Sequence, residues 1–116
     1  MSQFMLLLHE NPADYADYSA AEMQRIIGEY VAWRNQIEAA GQFAGSNKLK
    51  DEGGRHIRLR NGQLRVTDGP YAEAKEVLGG YFIIKAGNYD AAVEIAQGCP
   101  HLKYGGWIEV REIEQV

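Results

Sequence analysis

The residues of this chain best suited to chemistry are a carboxylate in a turn and a histidine at a strand end. Asp68 opens the segment Asp68-Gly69-Pro70-Tyr71, in which glycine with φ > 0 and proline fix the shape of the backbone. A carboxylate beside such a turn can accept a proton or orient a substrate. His9 ends an apolar run, and imidazole titrates near neutral pH. We therefore predict Asp68 and His9 as catalytic residues. The alternative for Asp68 is that its carboxylate only closes the turn by accepting backbone N–H bonds.

Aromatic and cationic side chains supply candidates for substrate binding. Tyr71, Tyr81 and Trp107 would line a pocket for a planar or apolar ligand, because ligand pockets are rich in aromatic residues. Such residues also occur in cores and dimer interfaces. Lys75 follows the turn and is the cationic candidate, although solvated surface is the ordinary state of a lysine.

Histidine and cysteine usage favours chemistry without a metal or a redox cofactor. His9, His56 and His101 are dispersed and lack the close spacing of metal ligands, so a surface or capping role is expected for each. Cys99 is the single cysteine, so no intrachain disulfide can form, and this fits a reducing compartment. His101 could activate the Cys99 thiol, but a buried inert thiol is the commoner arrangement.

The chain length and the net charge limit the classes of domain organisation and partner to be expected. A chain of 116 residues suits one domain, here 1–116, and a net charge of -4 argues against a nucleic-acid partner. The local arginine excess at Arg58, Arg60 and Arg65 predicts either an anion-binding hairpin face or a guard against edge aggregation. The apolar start, Met5-Leu6-Leu7-Leu8, is too short for a signal peptide or a membrane span. The expected compartment is therefore the cytoplasm.

The first half of the chain predicts a strand and a helix. Phe4 to Leu8 form a continuous apolar run, typical of a central strand over about residues 3 to 9. Ser19 and Glu22 match a capping box, and Gly41 ends the helix that it starts. The apolar stripe expected along this helix is formed by Met23, Ile26, Ile27, Tyr30, Val31 and Ile37, with Arg34 its polar member. After Gln42-Phe43-Ala44-Gly45, the polar segment from Ser46 to Gly54 fits a short strand followed by a loop, although its period is unclear.

The second half of the chain predicts a hairpin, two strands and a helix. Asn61-Gly62 is a strong hairpin turn between two alternating segments. Gly79-Gly80 allows another group to approach closely just before the strand that begins at Tyr81. A helix starts near Asn88, and the final strand places Trp107, Glu109 and Arg111 on one face.

This order of elements predicts an α+β fold. It corresponds to a ferredoxin-like antiparallel sheet with two helices on one face and an inserted β-hairpin. Two helices cover only one side, so Tyr81, Ile83, Trp107 and part of the first strand would face solvent in a monomer. Because a contiguous apolar sheet face marks an interface, we predict a homodimer that packs the two sheets face to face.

The chain resembles a known family over nearly its whole length. The segment from Asp68 to Glu76, followed by Leu78-Gly79-Gly80-Tyr81, is similar to the signature of the YCII-related proteins of the DGPF type. The Asn-Gly hairpin and the closing Gly-Gly-Trp-Ile-Glu-Val-Arg also match. One departure is Tyr71, which stands where the family usually has Phe.

The resemblance implies a dimeric α+β barrel, in which two ferredoxin-like sheets close around a shared cavity. A chloromuconolactone dehalogenase of the wider group is thought to use a histidine on its first helix with an aspartate. The matching stretch here, Tyr30 to Arg34, contains no histidine, so that mechanism does not carry over. Two hypotheses remain open. One is a dimer that binds a small metabolite and catalyses cofactor-independent proton transfer, as in a lyase or isomerase. The other is a non-catalytic binding or regulatory module that acts through protein contacts.

Overall fold

The computed structural model describes residues 1–69 and 76–116. Within these residues, no helix is long and apolar enough to cross a membrane. The strands and helices, in chain order, are β1 (Ser2–Glu10), α1 (Ala20–Ala39), β2 (Phe43–Lys48), β3 (Arg55–Arg60), β4 (Gln63–Asp68), β5 (Val77–Ala86), α2 (Tyr89–Gln97) and β6 (Trp107–Glu112). Two 3-10 turns, Pro12–Tyr15 and Pro100–Tyr104, follow β1 and α2.

Four of the strands form an antiparallel sheet in the order β2-β5-β1-β6. The two central strands are therefore the first and third of the four in chain order, and the helices connect the pairs. This confirms the predicted ferredoxin-like α+β fold. The unclear segment after Phe43 is a true edge strand, paired with β5.

The core lies between one face of this sheet and the helices. Phe4, Leu6 and Leu8 alternate along β1 and are buried with Ile84 of β5, as expected for side chains that point to one face of a strand. The Ser19 capping box is present, which confirms the predicted helix start. The predicted stripe on α1 is only partly correct. Ile26 and Ile37 are buried, but Trp33 enters the core in place of Ile27 and Val31, which are about half exposed.

The opposite face of the sheet carries no helix in the part of the chain that the structure describes. Met5 and Leu7 of β1 lie beside Ile83 and Tyr81 of β5, and Trp107 lies on the same face in β6. The predicted sharing of this face by Trp107, Glu109 and Arg111 is confirmed by their pairing with alternate residues of β1. We call this surface the open face.

The predicted hairpin is confirmed, and it stands away from the sheet. Asn61 and Gly62 have φ angles of 51° and 76°, as a type I′ turn requires. Strands β3 and β4 pair with each other in a separate two-stranded sheet. The radius of gyration is 16.2 Å, whereas a compact chain of this length would have about 13 Å. We call residues 55–68 the arm.

The structure corrects the expected role of Gly69. Its φ is not positive, so the turn preference does not explain it. A Cβ atom at Gly69 would lie 2.1 Å from the His56 ring and 2.8 Å from the Gly53 carbonyl oxygen. Glycine is needed here for space. The following residues, 70–75, which include Pro70, Tyr71 and Lys75, lie outside the described residues.

Replacing Gly28 by alanine is expected to stabilise the protein by about 0.5–1 kcal/mol, because glycine is a poor helix former. Gly28 lies inside α1, and an added Cβ atom would meet nothing within 4 Å. Urea unfolding measures the gain. The control is Gly41→Ala, which should destabilise the protein because Gly41 has a φ of 74°. A loss of stability in Gly28→Ala would contradict the expectation.

Candidate functional site

A cavity of about 560 Å³ lies between α1 and the sheet. Its α1 wall is largely apolar, and its other walls are supplied by β1, β2, β5 and the two 3-10 turns. Such a volume suits a small-molecule ligand, and a mainly apolar wall with a few polar groups is typical of ligand sites. The side chains with polar atoms in this lining that bear on its chemistry are Glu10, Tyr15, Tyr30, Arg34, Lys48 and His101.

Glu10 places a carboxylate inside this cavity. It is the last residue of β1 and points to the same face as Leu8, and only 9% of its surface is exposed. Its Oε1 atom lies 3.9 Å from Nζ of Lys48. A buried carboxylate needs such a partner, because leaving a charge unpaired away from water is costly.

The glycine pair makes room for this carboxylate and lies inside β5, not before it. Close approach by a backbone or a ligand was predicted here; at Gly80 the neighbour is a backbone carbonyl, but at Gly79 it is the Glu10 side chain. The register of β1 and β5 shifts between Leu8 and His9, so Gly79 is an extra residue opposite β1. A Cβ atom at Gly79 would lie 1.9 Å from Oε1 of Glu10, and one at Gly80 would lie 2.8 Å from the Asn47 carbonyl oxygen. The bulge therefore seats the Glu10 carboxylate.

A buried histidine and two tyrosines also line the cavity. Nε2 of His101 lies 2.8 Å from the His9 carbonyl oxygen, and Nδ1 lies 2.9 Å from the Tyr30 hydroxyl. A carbonyl can only accept, so Nε2 carries a proton. In the neutral ring, Nδ1 then accepts from Tyr30. His101 thus fixes the direction of the Tyr30 hydroxyl.

The Tyr15 hydroxyl is the unpaired member of this group. It is buried, and it has no hydrogen-bond partner among the described residues. Burial raises the pKa of Tyr15, and burial raises the pKa of Tyr30 still further. Both hydroxyls therefore stay protonated at neutral pH. The neighbouring Tyr30 hydroxyl offsets part of this rise in the pKa of Tyr15, so a ligand would have to draw the Tyr15 O–H away from Tyr30.

Two of the residues predicted from the sequence, His9 and Trp107, lie together on the open face. Their rings stack with centroids 4.1 Å apart, at an angle of 10°. His9 Nε2 donates to Glu109 at 3.0 Å, and Arg111 donates to the other oxygen of Glu109 at 3.1 Å. His9 thus has a carboxylate partner, which the sequence did not reveal because Glu109 is a hundred residues away.

The contacts of Glu109 with His9 and Arg111 predict that the stability of the protein depends on pH. The hydrogen bond from His9, and then that from Arg111, lowers the pKa of Glu109 below its ordinary value of 4.5. The stability that this carboxylate contributes is complete above that value and is lost as the pH falls through the lowered pKa. We therefore expect Glu109→Gln to flatten the decline of the urea midpoint below about pH 5. Parallel declines in both proteins would contradict this.

The remaining predicted residues are placed differently. Asp68 ends β4 on the arm; its side chain is 87% exposed and lies 3.2 Å from Nε of Arg55. Tyr81 lies on the open face opposite Leu7, and its hydroxyl accepts from Asn47 at 2.8 Å. Tyr71 and Lys75 fall outside the described residues. The structure therefore brings His9 and Trp107 together, while Asp68 is on a separate sheet.

One expectation for the histidines is wrong. His101 was predicted at the surface or in a cap, but it is 2% exposed and packs inside the protein. The prediction of a buried, inert Cys99 is confirmed. Burial raises the pKa of its thiol to about 11, so the reactive thiolate is scarce at neutral pH.

Sequence reasoning missed Glu10, Tyr15, Tyr30 and His101 as a group. A signal existed for Glu10. The two-residue period of β1 places it on the face of Leu6 and Leu8, and a carboxylate on the core face of a strand needs an explanation. The prediction ended the strand at residue 9, so this position was not considered. The other three come together only where α1 packs against the two 3-10 turns.

The fold and cavity define a class of small ferredoxin-like α+β proteins with a pocket between sheet and helix. Comparison with protein families then gives the family. Residues 2–116 match the model of the YCII-related domain, so the chain belongs to the YCII-related family. It is also similar to an uncharacterised protein of Rhizobium meliloti (strain 1021), at 25% identity over 95 residues, which cover 81% of this chain and 77% of the relative.

Proposed function

We propose that this protein binds a small metabolite in the cavity beneath α1 and catalyses proton transfer on it without a cofactor. The observation that carries the proposal is that a carboxylate, Glu10, lies in one largely apolar cavity with two tyrosine hydroxyls, those of Tyr15 and Tyr30. A base and a fixed donor in a water-poor site are the two groups that proton abstraction beside a carbonyl requires.

The roles follow from the chemistry of each group. Glu10 takes a proton from a carbon next to the substrate carbonyl, and the electron pair moves onto the carbonyl oxygen. Tyr15 donates its O–H to that oxygen and stays protonated, since burial raises its pKa. Glu10 then returns the proton to a different atom, which completes an isomerisation. Lys48, which is largely exposed at the edge of the cavity, already pairs with Asp51 at 2.9 Å, and its remaining N–H donors attract a carboxylate on the substrate.

The oligomeric part of the proposal is a homodimer through the open face. Met5, Leu7 and Ile83 leave this face apolar, and burial against a second sheet would remove it from water. His9, Trp107 and Tyr81 would then lie at the seam between the two sheets. Asp68, Tyr71 and Lys75 stay candidates for a site that the seam or the arm completes.

Calorimetric titration with a panel of small cyclic carboxylates tests the cavity. We expect a binder whose affinity falls about tenfold in Tyr15→Phe, because one hydrogen bond is lost. His9→Gln is the matched control, since it changes a polar residue on the opposite face of the sheet. Binding that is insensitive to Tyr15→Phe and Glu10→Gln, but is lost in His9→Gln or Asp68→Asn, would place the site elsewhere.

The second candidate function is a non-catalytic module that acts through protein contacts. One observation favours it: the arm exposes four large apolar side chains. This candidate predicts that no small molecule in the panel binds and that the arm variants described below change only association between proteins.

A further inference from the structure

The arm has one apolar side and one polar side. Its cross-strand pairs Ile57–Val66 and Leu59–Leu64 lie on the same side. These four residues are between 58% and 71% exposed. Four large apolar side chains that lie together on one side of a hairpin form a patch of the kind that marks an interaction surface.

The base of the arm is closed by a hydrogen bond, an ion pair and a close packing contact. The Gly69 N–H donates to the Gly54 carbonyl at 3.1 Å, and Arg55 pairs with Asp68 across the strands at 3.2 Å. Gly69 is buried against the His56 ring, without room for even a Cβ atom. Strands β3 and β4 pair only with each other among the described residues, and the large radius of gyration agrees with an extended arm.

The net charge of the arm indicates which surfaces it can contact. Residues 55–68 contain four arginines and one aspartate, a formal charge of +3, in a chain whose total is -4. The rest of the chain therefore carries -7. Two arms that packed together would repel each other, whereas an arm and the body of another copy attract. Arg58, Arg60 and Arg65 lie on the polar side of the arm, so this attraction acts over a distance and not through ion pairs in the apolar contact.

We propose that the arm packs, with the side of Ile57, Leu59, Leu64 and Val66 inward, against the acidic body of a second copy of this chain. The inference rests on the homodimer proposed above and adds a second contact to it. Each protomer would give one arm and receive one, so the interface would be isologous.

Sedimentation velocity over a range of concentrations tests this contact. We expect Leu59→Ser combined with Leu64→Ser to raise the dimer Kd at least about tenfold, because two apolar side chains lose their burial. The control is Gln63→Ser with Thr67→Ser, on the polar side of the same hairpin and without a change in charge. It should leave the Kd unchanged. Added NaCl should weaken the wild-type dimer.

Trypsin digestion of the wild-type protein provides a readout that needs no variant. Cleavage after Arg60 and Arg65 should slow as the protein concentration rises through the dimer Kd. A dimer with an unchanged Kd in the Leu59→Ser, Leu64→Ser variant, together with arm cleavage that does not depend on concentration, would overturn the arm contact and leave the open-face dimer standing. A wild-type protein that stays monomeric at every concentration would overturn both, while ligand titration would still decide the cavity.

Discussion

His101→Ala is expected to destabilise the protein by about 3 kcal/mol, the sum of a cavity left in the core and hydrogen-bonding groups left without a partner. The ring is buried and joins the His9 carbonyl to the Tyr30 hydroxyl. Removing it leaves both groups without this contact. Urea unfolding should show a lower midpoint with an unchanged slope, as for a loss of stability alone.

Two variants near this histidine test whether the loss of stability comes from the buried His101 ring. One changes an exposed neighbour, and the other crowds the ring without removing it. Lys103→Ala lies on the same 3-10 turn but is largely exposed, so its loss should stay within about 0.5 kcal/mol. Gly106→Ala keeps His101 but puts a Cβ atom 2.2 Å from its Nε2. It should destabilise by about 1–3 kcal/mol through overpacking. Equal losses in His101→Ala and Lys103→Ala would show that the ring is not part of the core.

Glu10→Gln is expected to slow proton exchange on a bound substrate by a factor of about 10² to 10⁴, which is the usual contribution of a positioned general base. The amide is nearly the same size but cannot accept the proton. Incorporation of deuterium from D2O into a ligand found by titration, followed by NMR, measures the abstraction step without knowledge of the product.

The matched variant for this experiment is Gly79→Ala. Its Cβ atom would displace the Glu10 carboxylate from its seat but leave its charge in place. We expect a partial loss of exchange and little change in stability, because the displaced group is the end of a flexible side chain. Lys48→Met should weaken the binding of a carboxylate ligand more than it slows exchange. Exchange at the wild-type rate in Glu10→Gln would exclude Glu10 as the base.

The local parts of the fold could be predicted because short patterns determine them. Asn61-Gly62 specifies its turn through positive φ angles, and Ser19 with Glu22 specifies the start of α1. Their causes lie within a few residues of chain. The sheet order followed from the succession of elements, since few topologies satisfy it.

The cavity was harder to predict, because its groups meet only across the fold. The bulge that brings Gly79 beside Glu10 is signalled locally only by the glycine pair, which does not say which group approaches. His101 reaches Tyr30 over 71 positions of the chain. Trp33 is buried in the core although it was not in the predicted stripe of α1. Helical periodicity predicts that an apolar stripe exists, but it does not determine to within one residue which side chains lie at the middle of the stripe. The sequence thus predicted the scaffold, and the side chains of the site required the structure.

The single buried thiol makes this protein suitable for site-directed spin labelling. Cys99 is shielded, and its raised pKa keeps it unreactive toward thiol reagents at neutral pH. In an Arg60→Cys variant, the new thiol on the tip of the arm would therefore take the label while Cys99 stays in place and unlabelled. Dipolar spectroscopy between two such labels would report the separation of the arm tips in an assembled pair.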